Sequence, residues 1–269
     1  MKHLTPLVAL VIMSSICLGN SAAGQVLVAP TRVTLTDKVR SQELSLVNSS
    51  AETQTYRISV INMKMLPDGS MKEITIPDEN APFATGLFRY SPREITLAAK
   101  EVQSVRIQSR VLGDTPNGEY RSAMKFSQIP LTETVSKPQE EAKEISIQIK
   151  VLVSVSIPII VSHNTKPSTA SITCSLLPDK SAMECKIERQ GQESLYSNLI
   201  VKYQGATGKP VVLNTANGVA VYSGMAYRTI KLPLTLPPNI LLTSGKTLTV
   251  ELISNPENKA LSTSNVIIL

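Results

Sequence analysis

Between Ile145 and Ile157 the chain places an apolar residue at every second position: Ile145, Ile147, Ile149, Val151, Val153, Val155 and Ile157. A period of two puts all of them on one face of a β-strand, whereas a helix repeats its face every 3.6 residues. The residues between them, Ser146, Gln148, Lys150, Ser154 and Ser156, are polar, with Leu152 the exception. At about 3.3 Å per residue the run extends over about 40 Å, while an ordinary strand has about 5–6 residues. Something has to cover that apolar stripe along its length. A polar loop from Pro130 to Lys143 precedes the run and Pro158 interrupts it.

The same period recurs elsewhere. Apolar alternation runs from Val26 to Leu35, through Leu44–Val47, and over Tyr56–Met65, Ile95–Leu97, Val102–Val111 and Tyr120–Ile129. Turn signals separate these runs, among them Asn48-Ser49-Ser50 and Pro67-Asp68-Gly69. No long segment has helical periodicity. Short strands punctuated by 17 prolines and 12 glycines predict an all-β chain of β-sandwiches. Composition shifts after Val161, where Ser162–Ser168 reads as a connector. Beyond it come runs at Leu195–Tyr203, Thr229–Leu236 and Thr247–Ile253, an Asn217-Gly218 turn, and a final Val266–Leu269. The expected organisation is an export signal at 1–23, one domain at 24–161 and a second at 162–269.

The signal is read from order. Lys2 and His3 are basic, Leu7–Leu18 is apolar, and Ser21–Gly24 is small, which fits cleavage after about residue 23. The apolar run is shorter than the about 20 residues that cross a bilayer, so no membrane insertion is expected. Export removes Cys17 and leaves Cys174 and Cys185, an even pair in an oxidising compartment. Ile172, Cys174 and Leu176 alternate up to a Pro178–Ser181 turn. A hairpin centred between Asp179 and Lys180 sets Cys174 opposite Cys185. Facing cross-strand residues lie about 4.5–5.5 Å apart, within disulfide reach.

Several chemistries lack their parts. Past the signal only His163 remains among the histidines, so a His-rich zinc site or a Cys/His pair cannot be assembled. No G-x-S-x-G elbow is present. Gly245-Lys246-Thr247 lacks the first glycine of a phosphate loop, since Ile240 stands there. Asp78, Glu79 and Asn80 read as a turn between Pro77 and Pro82 rather than a calcium site. The formal charge of +6 is scattered and tryptophan is absent, which excludes a stacking nucleic-acid groove. Neither catalytic residues, metal nor cofactor is expected.

A resemblance covers Val26–Val161. Ala29-Pro30-Thr31-Arg32-Val33, then Leu44–Asn48 and Tyr56-Arg57-Ile58, resemble the opening strands of the PapD-like periplasmic pilus chaperones. Arg89–Leu97 with Val102–Ile107 resembles the family's middle section, and Gly118–Ser122 through Gln128-Ile129-Pro130 its sixth strand. The resemblance implies two immunoglobulin-like domains in the periplasm and a seventh strand lent to pilus or fimbrial subunits, a form of strand addition. It implies delivery to an outer-membrane usher. It further implies that Ile145, Ile147, Ile149, Val151 and Val153 insert toward a subunit core. By its Pro-Thr-Arg context Arg32 falls on the arginine that holds the subunit's terminal carboxylate, for which a guanidinium offers bidentate bonds. The family's lysine position falls on an apolar residue, so Lys150, the one lysine within the strand, is taken as its partner. The Ala98-Ala99-Lys100-Glu101 turn lacks the family's glycine. An exported structural or adhesive module shares the signal, the disulfide and the composition, but has no need of a long unpaired apolar strand.

Overall fold

The structure, a computed structural model, describes residues 26–76, 81–130, 152–205, 209–238 and 240–269. Its strands are β1 (Val26–Ala29), β2 (Val33–Leu35), β3 (Ser41–Asn48), β4 (Gln54–Met65), β5 (Met71–Ile74), β6 (Phe88–Ser91), β7 (Glu94–Leu97), β8 (Val102–Ser109), β9 (Gly118–Ile129) and β10 (Ser154–His163). They continue with β11 (Thr169–Leu176), β12 (Ala182–Gln190), β13 (Leu195–Gln204), β14 (Val211–Val221), β15 (Tyr227–Pro233), β16 (Thr247–Ser254) and β17 (Ala260–Ile267). The fold is all-β: two β-sandwiches in tandem.

In the first sandwich one sheet runs β1-β3-β8-β6 and the other β2-β10-β9-β4-β5, with β7 also on β4. The Val26–Leu35 alternation, expected as one strand, is divided between them. β1 pairs antiparallel with β3, and β2 pairs parallel with β10. Pro30 has no N–H for a ladder, so the first strand stops before it and the second begins beyond. Val26 and Val28 therefore enter the core from one sheet, Val33 and Leu35 from the other. They meet Leu44, Leu46, Tyr56, Ile58, Met124 and Phe126, all buried. Each such side chain contributes about 1.5–3 kcal/mol of burial. Asn48 is buried too. Its amide group donates to the carbonyls of Glu52 (2.7 Å), Leu97 (3.1 Å) and Ala98 (3.0 Å), and its oxygen accepts from the Ser50 N–H (3.0 Å). That closes the strand-ending turn expected at Asn48–Ser50.

The second sandwich packs β11-β12-β15 on β14-β13-β16-β17. In the β11–β12 hairpin Cys174 faces Cys185 in the anticipated register, and the two are disulfide-bonded. Asn217-Gly218 is not the turn expected from its sequence. It lies inside β14, where the pairing with β13 shifts between Ser197 and Leu199. Gly218 has φ +68° and donates its N–H to Asn198 Oδ1 (3.0 Å). The dipeptide's preference for left-handed backbone is met by a bulge instead.

β10 leads from the first sandwich to the second, and it carries Ser162 and His163, which composition assigns to the connector. Pro158 does not end it. β2 begins to pair only at Ile159, so Pro158 sits on a stretch with one open edge, where proline is tolerated. Ile157, Ile159 and Val161 fill the first core. Ile160, on the opposite face, packs with Met65, Ala220 and Tyr222 in a small cluster between the sandwiches. Hydrogen bonds also cross the seam: the Thr229 N–H donates to the Pro67 carbonyl (2.7 Å), and the Ser194 N–H to Glu119 Oε2 (2.8 Å).

Candidate functional site

Two features meet along β10. The first is an open edge. β9 pairs β10 from Ser154 to His163, whereas β2 covers only Ile159–Val161 on the other side. Among the described residues no strand pairs the remaining edge of Ser154–Pro158. An unpaired strand edge offers a row of N–H and C=O groups to another chain. Along it the alternation grades from buried to open: Ile157 is buried, Val155 and Val153 are half-buried, and Ser154, Ser156 and Leu152 are exposed. Val155 still packs on the first core. Val153 thus shares the inward parity of Val155 and Ile157. Ile145, Ile147, Ile149, Val151 and Lys150 lie outside the described residues.

The second feature is cationic. Arg32 precedes β2, and the chain's crossing at Pro30 carries it between the sandwiches rather than onto an open strand face. Its Cζ lies 4.7 Å from the Tyr196 ring centroid and 5.7 Å from that of Tyr222. Its Nη1 is buried without a hydrogen-bond partner. Burial pushes its pKa down, while Tyr222, Glu119 and Tyr196 oppose that shift.

Arg121 joins it unannounced by the sequence. It stands opposite Ile160 in the β9–β10 register and is 9% exposed. Its Cζ lies 4.1 Å from the Tyr222 centroid, and Nη2 donates to the Met63 carbonyl (2.6 Å). Burial again lowers its pKa; Tyr222 and Glu119 work against this, and Arg32 adds to it. Arg228, on β15, is the third. It donates to the Ala220 carbonyl (3.0 Å), its Nε is buried and unpartnered, and its pKa is lowered by burial. Gly69 makes room for it: a Cβ there would sit 2.3 Å from the guanidinium. Glu119 raises the pKa of Arg32 and Arg121, Asp68 that of Arg228, and Glu119 also accepts two bonds from Ser194.

Arg32 and Arg121 both lie over the Tyr222 ring, and with Glu119 beside them they leave a positive, partly desolvated cleft. A carboxylate entering it would supply the acceptor that Arg32 Nη1 lacks. Beside Arg121 and Tyr222 the cleft opens into a pocket of about 270 Å³. Sequence alternation places Glu119 and Arg121 on the polar face of β9. It does not reveal that a second domain covers that face. The signal that existed is Ile159-Ile160-Val161, three apolar residues in a row, which require cover on both faces of β10. Among the described residues no cluster of three His, Cys, Asp or Glu side chains could hold a metal, and no helix is long and apolar enough to cross a membrane.

No family model and no curated protein matches the chain. Among solved structures it is similar to the E. coli chaperone DraB, at 14% identity and a TM-score of 0.48, over 91% of this chain and 97% of that one. It is also similar to the CsuC–CsuE chaperone–tip adhesion subunit pre-assembly complex of Acinetobacter baumannii, at 13% identity and TM-score 0.46, over 90% and 98%. A third is the Salmonella enterica SafA pilin in complex with the SafB chaperone, at 17% identity and TM-score 0.44, over 90% and 96%.

Proposed function

We propose that this chain is a periplasmic, non-catalytic chaperone that holds pilus or fimbrial subunits by lending them the strand that leads into β10. The edge of Ser154–Pro158, unpaired among the described residues, is the observation that carries it. Main-chain groups on such an edge supply affinity, and alternate side chains supply specificity. The apolar stripe from Ile145 to Val153 is the segment lent, and its side chains insert into the subunit. Arg32 anchors the subunit's terminal carboxylate from the cleft, with Lys150 as the second cation. Export by residues 1–23 puts the protein where subunits emerge, and an outer-membrane usher receives the complex.

Co-purification tests this. The tagged protein is expressed with its genomic neighbours beside Ile147→Asp and Arg32→Ala. A small exported subunit should be held by the wild type, lost with Ile147→Asp, and weakened with Arg32→Ala. Equal capture by Ile147→Asp would discard the lent strand. Capture of no exported protein by the wild type would favour an exported structural or adhesive module.

A further inference from the structure

Methionine is unevenly placed in this chain. Beyond residue 23 it stands at Met63, Met65, Met71, Met124, Met183 and Met225. Met63, Met65 and Met225 all line the pocket beside Arg121 and Tyr222. Met65 is buried with Ile160, Ala220 and Tyr222 in the cluster between the sandwiches, and Met225 packs against that cluster. Met63 and Met225 are only half-buried. The others are placed differently. Met124 and Met183 are 0% exposed, one in each core. Met71 is exposed and stands opposite Met65 on β5, outside both the pocket wall and the cluster.

A thioether suits the seam while it stays reduced. It is apolar and polarisable, and its rotatable bonds let it fill an irregular gap. One oxygen atom changes that. With hydrogen peroxide the O–O bond breaks and an S–O bond forms. The sulfur gives up two electrons, and the second oxygen leaves as water with both protons. The product is a polar, chiral sulfoxide, which disrupts apolar packing. Packing shields Met124 and Met183 from the reagent, whereas Met63 and Met225 border an open pocket. Peroxide carries no charge. Its entry is therefore not governed by Arg121 and Lys64 in the wall, nor by Asp78 and Glu79, which adjoin the wall and lie outside the described residues. We infer that the methionine seam is a redox-sensitive joint: oxidation of Met63 and Met225 places sulfoxides beside Met65 and Tyr222 and loosens the contact between the sandwiches. The groups concerned belong to the free chain, so the inference does not depend on the chaperone proposal.

Hydrogen peroxide on the purified chain tests the joint, with sulfoxides mapped by mass spectrometry and amides followed by hydrogen exchange. Met71, Met63 and Met225 should gain oxygen ahead of Met124 and Met183. Met65, 5% exposed, should follow only once the seam has opened. Two amides report the seam: Thr229, bonded to the Pro67 carbonyl, and Ser194, bonded to Glu119. Their exchange should rise at least about five-fold as Met63 and Met225 are oxidised, the response to a modest loss of local stability. The amides of Ile58 and Leu177, each bonded within one sandwich, should keep their rates. Methionine sulfoxide reductases for both epimers should reverse the change. Combining Met63→Leu with Met225→Leu, swaps of similar volume, should remove the response to peroxide, and Met71→Leu should leave it intact. Constant exchange at Thr229 and Ser194 after both sulfurs are oxidised overturns the inference. So does oxidation of Met63 and Met225 no faster than that of Met124 and Met183, or an equal response in the double leucine variant. Should that variant fail to fold, the wild-type time courses decide: seam exchange that follows Met71 rather than Met63 and Met225 also overturns it.

Discussion

The two sandwiches treat their strand edges in opposite ways. In the second, β11 is an edge strand, yet β17 of the facing sheet reaches it. The N–H of Ile172 donates to Ser262 Oγ (3.2 Å) and that of Cys174 to Ser264 Oγ (3.0 Å). The disulfide then fastens β11 to β12. In the first sandwich, β10 leaves Ser154–Pro158 without a strand on one side among the described residues. One fold, used twice, has closed one edge with serine hydroxyls and, among the described residues, left the other unpaired. Openness is thus a property of a few residues rather than of the architecture, and edges left open in natural proteins call for a reason.

If β10 is anchored at one end and available at the other, truncations along it should differ sharply. Ile157 is buried and contacts the first core, so Ile157→Ala should cost about 2–5 kcal/mol in urea unfolding. Val153 is half-buried, and Val153→Ala should cost less than about 1 kcal/mol, within the range of changes away from the core. Similar losses at both positions would mean that the whole strand belongs to the home core, and the contrast between the two edges would disappear.

The closed edge should depend on its staple next. Replacing Cys174 and Cys185 with serine should destabilise the second sandwich by about 2–4 kcal/mol, through the freedom regained by the unfolded chain. The first sandwich has no share in the bond. Unfolding followed by probes in each domain should show the second melting earlier while the first keeps its midpoint. A matched drop in both would mean that the seam at Tyr222 and Ile160 makes them one cooperative unit.

How much of this could be read from the sequence follows from what alternation reports. It reports a two-faced strand, so the strands around Tyr56, Val105 and Val201 and the Cys174–Cys185 register were legible. It does not say which sheet a strand joins, and Val26–Leu35 reads as one strand because Pro30 redirects the chain without changing its pattern. Nor does it separate a polar residue facing water from one facing another domain. Glu119 and Arg121 alternate like surface residues, yet both are buried at the seam. Only the Pro-Thr-Arg context marks Arg32 in the sequence. Tyr196 and Tyr222, which carry its guanidinium, lie more than 160 positions further along the chain, a separation over which local pattern carries no information. The Asn217-Gly218 bulge shows the same limit: the dipeptide states a backbone conformation, and tertiary pairing decides whether it becomes a turn.

The smallest expected effect bears most directly on the comparison. Ser262 and Ser264 stand between an open and a closed β11, and each hydroxyl satisfies one strand N–H. Replacing either with alanine leaves that N–H without its acceptor, at a cost of about 1 kcal/mol for a partly buried group. Global stability should barely register a single change. Hydrogen exchange should, because about 1 kcal/mol multiplies the open population of the affected amide by about five. The Ser262→Ala variant should speed exchange at Ile172, and Ser264→Ala at Cys174, each without altering the amides of β12. The double variant should leave β11 as exposed as the Ser154–Pro158 edge. A concentration-dependent association of that variant, absent from the wild type, would show that the hydroxyls alone hold the second sandwich apart from its neighbours. Unchanged exchange in both single variants would mean that packing against β17, not its hydroxyls, closes the edge, and the difference between the two sandwiches would then lie in side-chain cover.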